Sequence, residues 1–240
     1  MSYTGDRSLK PATEVKLPGT VKLYKRHLFV CTNSANWPAR IETDTDFTQA
    51  LFEELIQRAA VLPHQVKLTA CIDSAMGNEY DLLIFPDGLR YKGVQKSDIP
   101  NLVERHLEQN KLCSQIPFQK FSTHHLFVCI HGSRDVRCGT CGPELIRQFA
   151  CELERHNLTD SVHLMPCSHV GGHRFAGNVL LYPGGDWYGN VTPQDVPDIV
   201  EHHILDQKIL WRLWRGRMGL SLEQQIDLAK NAQPIIPLSR

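Results

Sequence analysis

The 240-residue sequence has no apolar run approaching the ~18–20 residues that span a bilayer, so a transmembrane helix is not expected. It has no excess of charge of either sign: Lys and Arg number 26, as do Asp and Glu. A chain with no net field is a poor non-specific binder of nucleic acid or of an acidic membrane surface. The opening MSYTGDRSLKPATEVKLPGT lacks the apolar core and small-residue cleavage pattern of a signal peptide. No glycine-rich nucleotide loop is present, and no pair of carboxylates stands out as a glycosidase constellation. With 42% hydrophobic and 22% charged residues the chain is expected to fold around a core, not to be disordered. What is plentiful is cysteine (8) and histidine (12). Without a secretory signal these cysteines read as thiols or metal ligands in a reducing, cytoplasmic setting, not as disulfides.

The chain repeats itself at long range. His27-Leu-Phe-Val-Cys31 returns as His125-Leu-Phe-Val-Cys129, and Leu83-Ile-Phe-Pro-Asp-Gly88 is matched by Leu180-Leu-Tyr-Pro-Gly-Gly185. Ser97-Asp-Ile-Pro-Asn-Leu-Val-Glu-Arg-His106 is matched by Gln194-Asp-Val-Pro-Asp-Ile-Val-Glu-His-His203. Three blocks in one order with an offset of 97 or 98 residues predict an internally duplicated domain.

Each copy reads as strand, helix, strand, hairpin, helix. The first strands are the buried runs 27–31 and 125–130. The helices follow at Phe47 to Arg58 and at Pro143 to His156, with Pro143 suited to a first turn where its missing N–H costs nothing. Middle strands are expected at 66–71 and 161–166, and hairpins at 81–86/89–93 and 178–183/186–191, turning at Asp87-Gly88 and Gly184-Gly185. A last helix begins at Asp98 or Asp195, read as its N-cap. This order is the thioredoxin-like plan, so the fold class is α/β with two tandem thioredoxin-like lobes. The expected organisation is a flexible tail over 1–20, a lobe over 21–115, a second lobe over 120–206, and a basic, aromatic C-terminal helix and tail over 207–240.

The copies differ in their ligand-type residues. After its first strand the second copy reads Cys129-Ile-His-Gly-Ser-Arg-Asp-Val-Arg-Cys138-Gly-Thr-Cys141-Gly, and after its middle strand Cys167-Ser-His169-Val-Gly-Gly-His173-Arg-Phe-Ala-Gly-Asn178. The first copy has neither the second cysteine nor the histidines at these places. Both loops lie at the same end of a thioredoxin-like sheet, so the chemistry is expected in the second half and scaffolding or docking in the first. C-x8-C followed by H-x3-H, within these surroundings, resembles the sucrase/ferredoxin-like family, a branch of the thioredoxin-like ferredoxins. The resemblance runs from about residue 24 to 220. It implies a [2Fe–2S] cluster with Cys129 and Cys138 on one iron and His169 and His173 on the other.

Two thiolates and two neutral imidazoles carry less negative charge than four thiolates, which predicts a higher potential. Rieske centres run at roughly −150 to +300 mV, against about −400 mV for plant-type clusters. The expected function is one-electron transfer, proton-coupled through the imidazoles, with a reductase as donor and an unknown acceptor, and with no nucleic-acid or membrane partner. A rival reading is a thiol–disulfide oxidoreductase using Cys138 and Cys141, a C-x-x-C at a helix start; a second is a structural zinc site. Cys31, Cys71, Cys113, Cys151 and Cys167 show no partner pattern and are expected as core thiols. His131 is expected either beside the ligands or in a surface loop. The segment holding Lys208, Arg212, Arg215 and Arg217 beside Trp211 and Trp214 reads either as a basic docking surface or, preferably, as a helix packed on the core by its tryptophans.

Overall fold

A computed structural model describes residues 16–73 and 79–232. The first half runs β1 (Arg26–Thr32), α1 (Asp46–Gln57), β2 (Val66–Ile72), β3 (Tyr80–Phe85), β4 (Leu89–Val94) and α2 (Ile99–Leu102), which continues as a wider helical turn over Val103–Glu108. A short strand, β5 (Phe118–Lys120), leads into the second half. That half repeats the order with β6 (His124–Cys129), α3 (Val136–Arg155), β7 (Val162–Cys167), β8 (Val179–Tyr182), β9 (Asp186–Tyr188) and α4 (Val196–Asp198), widening over Ile199–Leu205. β10 (Trp214–Arg217) and α5 (Leu222–Asn231) follow. In each half the first two strands are parallel, and the hairpin adds antiparallel to the first strand. The thioredoxin-like α/β fold class is thus observed, with the same order of strands and helices in each half.

Several sequence-level expectations are corrected. α3 begins seven residues before Pro143, because the Asp135 carboxylate caps it by accepting the Arg137 N–H at 3.0 Å. Pro143 therefore lies inside the helix. Asp98 and Asp195 do precede α2 and α4 at the N-cap position, but their side chains make no capping bond to those helices. Each instead accepts the backbone N–H three residues back, of Gln95 (2.9 Å) or Thr192 (2.8 Å), the reaching-back half of a capping box. Where a helix is expected within 207–240 the chain forms β10, paired with β9, and among the described residues of that segment only 222–231 is helical. Of the expected flexible tail, residues 1–15 lie outside the described residues. Thr20 is held by Leu17 and by Arg215.

All ten described strands form one sheet in the order β10-β9-β8-β6-β7-β2-β1-β3-β4-β5. The halves meet at the antiparallel β2/β7 join, which carries a single registered pair, Cys71 opposite Cys167. Ser168 strengthens it, its N–H donating to the Ala70 carbonyl (2.8 Å) and its hydroxyl accepting the Ala70 N–H (2.9 Å). In a flat sheet β1 and β6 would stand about 14 Å apart, three strand spacings. Yet Phe29 of β1 and Phe127 of β6 stack with centroids 3.8 Å apart and planes within 7°. The sheet therefore folds at the join and brings the two half-sheets face to face.

Between them lies a shared core that includes Phe29, Phe85, Phe127, Tyr182 and Trp187. The outer faces are covered by helices over separate cores, around Leu51 and Leu102 in the first half and Phe149 and Ile199 in the second. Polar atoms in the shared core are paired. His27 contacts the Tyr182 hydroxyl (2.6 Å) and the Thr69 hydroxyl (2.7 Å), and Trp187 Nε1 donates to the Tyr24 hydroxyl (2.7 Å). Four cysteines cross the middle of the sheet in one row, since Cys31 is registered with Cys71, Cys71 with Cys167, and Cys167 with Cys129. All four are buried.

Phe29→Ala or Phe127→Ala should each cost about 3–5 kcal/mol in urea unfolding. The double variant should lose less than the two single losses added, by about 0.5–1.5 kcal/mol of stacking; strict additivity would deny that the pair holds the halves together. Burial also drives the His27 and His125 pKa values down, His125 to about 4 from 6.5. The unfolded chain then binds more protons than the folded one between those values. Stability is full above about pH 6.5 and should fall as pH drops toward 4. The urea midpoint should show this slope, and His125→Phe should flatten it.

Candidate functional site

The second half brings its ligand-type residues to one end of its parallel strand pair. Cys129 ends β6, and Cys138 lies in the first turn of α3, both fully buried. Gly142, one helical turn on, allows α3 to approach closely: a Cβ there would stand 2.4 Å from the Cys129 carbonyl oxygen. The Cys129 thiol and the Asn178 side chain both act on the Cys138 thiol. The Cys129 contact and burial drive the Cys138 thiol far above its ordinary pKa. Cys141 is half-buried and also raised, first by burial.

His169 and His173 lie in the loop after β7, their ring centroids 5.7 Å apart and planes tilted by 32°. His169 Nδ1 is buried without a hydrogen-bond partner among the described residues. Burial, with help from Arg134 and Lys67, lowers this histidine to about 4. His173 is exposed, with Nδ1 3.9 Å from the Asp135 carboxylate.

The loop between the two histidines is fixed from behind. Arg215, fully buried on β10, donates to the Gly171 carbonyl (3.3 Å) and to Asn178 Oδ1 (2.5 Å), and Asn178 Nδ2 donates to the Gly172 carbonyl (3.2 Å). Gly172 has φ +72°, and a Cβ there would lie 2.2 Å from the Arg215 guanidinium, so no other residue fits. The first half supports the front. The His169 N–H donates to His131 Nδ1 (2.9 Å), so His131 carries its proton on Nε2 and donates it to the Pro38 carbonyl (2.9 Å). Trp37 packs edge-on against the His131 ring, and the Ser133 hydroxyl donates to the Trp37 carbonyl (2.5 Å).

The structure thus gathers Cys129 with Cys138 and His169 with His173, and links both pairs through Asn178, Arg215 and the 169–173 loop. Arg215, Trp37 and Lys67 were not foreseen as site residues. Asn178 stood within the histidine motif, and that was the one sequence signal for it. The basic segment is not a free docking surface. Arg212 pairs with Asp195 and Asp198, Lys208 with Asp206, and Arg217 with Asp186, while Trp214 is buried.

A family model described as sucrase/ferredoxin-like matches residues 17–216. The chain belongs to that family. Among curated relatives, altered inheritance of mitochondria protein 32 from Meyerozyma guilliermondii is 38% identical over 129 residues, 51% of this chain and 46% of the relative. The protein of that name from Clavispora lusitaniae is 26% identical over 246 residues, 90% of this chain and 88% of the relative. Actin patches distal protein 1 from Saccharomyces cerevisiae is 31% identical over 159 residues, 57% of this chain and 50% of the relative. The match therefore spans about half the length of the first and third of these. Solved structures include the wild-type thioredoxin-like [2Fe–2S] ferredoxin from Aquifex aeolicus, 26% identical, covering 40% of this chain and 100% of that one at a TM-score of 0.36. So low a score carries no weight on its own.

The expected ferredoxin-like one-electron carrier is overturned. These curated relatives are named for mitochondrial inheritance and distal actin patches, and none is named a ferredoxin. Among the described residues no group of three or more His, Cys, Asp or Glu side chains gathers where a metal ion could sit. The alternative thiol–disulfide exchange at Cys138 and Cys141 gains no support from the electrostatics of the two thiols. A reactive C-x-x-C needs a lowered thiol pKa, and both thiols are raised. Among the described residues no helix is long and apolar enough to cross a membrane.

Replacing His131 with Ala leaves the His169 N–H and the Pro38 carbonyl without their partner and should cost about 1–3 kcal/mol. Limited proteolysis should show faster cleavage within 33–40, and an unchanged rate would mean that His131 does not tie that loop down.

Proposed function

We propose that this protein is a cofactor-binding protein whose second half holds a [2Fe–2S] cluster at Cys129, Cys138, His169 and His173. The observation that carries the reading is the pairing of donors around an orphaned buried atom. His169 Nδ1 is desolvated with no hydrogen-bond partner among the described residues, a costly condition that a coordinated iron would relieve. The donor chemistry fits. A two-iron core takes two donors on each iron, as in centres where two histidines replace two cysteines on one iron. Two pairs therefore suit it, although no single-ion site is formed. The buried Cys138 thiol is costly to ionise alone, and a positive core would supply the missing counter-charge. When bound, such a group is redox-active, and histidine ligation raises its potential.

The chain's own residues supply the surroundings. Asn178 reaches Cys138, Arg215 holds the 169–173 loop, and His131 orients His169 through its backbone. The first lobe, 21–115, serves as the support that presents Pro38 to His131, and the second, 120–206, carries the donors. The free thiols among the described residues suit a reducing, cytoplasmic setting.

Full-length protein purified without oxygen should contain two irons and two sulfides per chain, with visible absorption and an EPR signal after reduction. Cys138→Ser and His169→Ala should each lower the iron content at least severalfold. Zinc in place of iron, or metal-free protein with unchanged folding, would refute the assignment.

A further inference from the structure

A cavity of about 380 Å³ opens beside the glycine loop, with no cysteine on its wall. Both halves line it. Arg40 and Lys67 come from the first, and Arg134, His131, His169 and Gly171 from the second. A smaller cavity of about 240 Å³ adjoins it, sharing Lys67, Val170 and Gly171 and adding Lys22 and Arg215. In a protein with no net charge this is a local concentration of cations. Glu42 is the one acid on the larger cavity's wall, and Asp44 lies within electrostatic reach of His131.

These cations are not consumed by internal pairs. Among the described residues the Lys67 ammonium has no carboxylate, carbonyl or hydroxyl partner; it sits over the Trp187 ring, 5.4 Å from the centroid. Burial lowers its pKa to about 8, the direction expected of an ammonium lacking a counter-ion. The Arg40 guanidinium is likewise unpaired among the described residues, and Arg134 makes one long bond, to the Ala39 carbonyl at 3.5 Å. The backbone N–H groups of Gly171 and Gly172 donate to no acceptor among the described residues. Both glycines have positive φ, and a Cβ at Gly171 would meet nothing within 4 Å, so its flank stays open. Successive free N–H groups beside unpaired cations are what a compact anion requires.

We propose that this cleft binds a small, multiply charged anion of the phosphate class. Lys67 and Arg134 contact it from opposite halves, Arg40 closes the rim, and the glycine N–H groups complete its shell. Several cations on one cavity call for more than one negative charge. A volume above 300 Å³ has room for a phosphorylated small molecule as well as for the bare ion. Bridging the halves, the anion would favour the closed arrangement of the folded sheet. The cleft shares His169 with the proposed cluster site but not Cys129, Cys138 or His173, and its anion is held by Lys67, Arg134 and Arg40, none of them a cluster donor.

Calorimetric titration of the full-length protein with inorganic phosphate, pyrophosphate and citrate, at ionic strength matched with sodium chloride, tests it. Pyrophosphate should bind more tightly than citrate. Lys67→Met and Arg134→Gln should each weaken that binding roughly tenfold or more, the loss of a charge-assisted bond. Phosphate binding without pyrophosphate binding would place a free ion there, and tighter pyrophosphate binding a phosphorylated molecule; both support the cleft. Arg134 is exposed, so its variant should fold even if Lys67→Met does not, with circular dichroism as the check. Iron content unchanged in Arg134→Gln separates the cleft from the cluster site. No heat beyond the chloride control, equal affinity for citrate, or full pyrophosphate binding by folded variants would overturn the proposal.

Discussion

The fold of the sheet at the β2/β7 join is the constraint from which the rest of the molecule follows. One registered pair and the Ser168 bonds are too few to set the angle between two half-sheets. The angle is set by what fills the space between them, above all Phe29 stacked on Phe127. At the far edge of the second half, β10 pairs with β9 and sends Arg215 into the back of the glycine loop. Closure of the halves carries Trp37 and Pro38 against His131. Neither contact is local in sequence. The front support of the 169–173 loop exists only when both halves are folded together.

That arrangement explains a division of labour. The second half carries all four proposed donors, on the end of β6, the first turn of α3 and the loop after β7. The first half supplies no donor. It presents a carbonyl to His131 and cations to the neighbouring cleft. A βαβ unit leaves the loops at the carboxyl ends of its strands free for such work, since the strands and crossover helix hold them rigid from one side. Here a second unit holds them from the other.

Much of this was legible in the sequence, because the signals were local. Alternation, turn dipeptides and repeated blocks located the strands of both halves, and the cysteine and histidine spacing located the donor loops. The early start of α3 was hidden by Pro143, which looks like a first-turn residue; Asp135 overrides that reading from outside the apolar pattern. The segment around Trp214 carries helix-like charge spacing, yet pairing with β9 makes it a strand, with Trp214 Nε1 bonded to Asp186 at 2.8 Å. No local pattern reports a strand partner some thirty residues away. The unpaired state of Lys67 was invisible for the same reason, since it depends on which side chains fail to meet. Function was the least legible, because a ligand pattern names donors without naming the task they serve.

The cysteine row across the join also governs shape. Cys31, Cys71, Cys167 and Cys129 put four small side chains side by side where the half-sheets bend toward each other. A row of leucines would act as a wedge along the crease, forcing the sheet flatter and pulling Phe29 from Phe127. The thiols are thus a matter of clearance as well as chemistry. The crease can be sharp because the atoms inside it are few, and every contact across the molecule, including the front support of the glycine loop, depends on how sharply it closes.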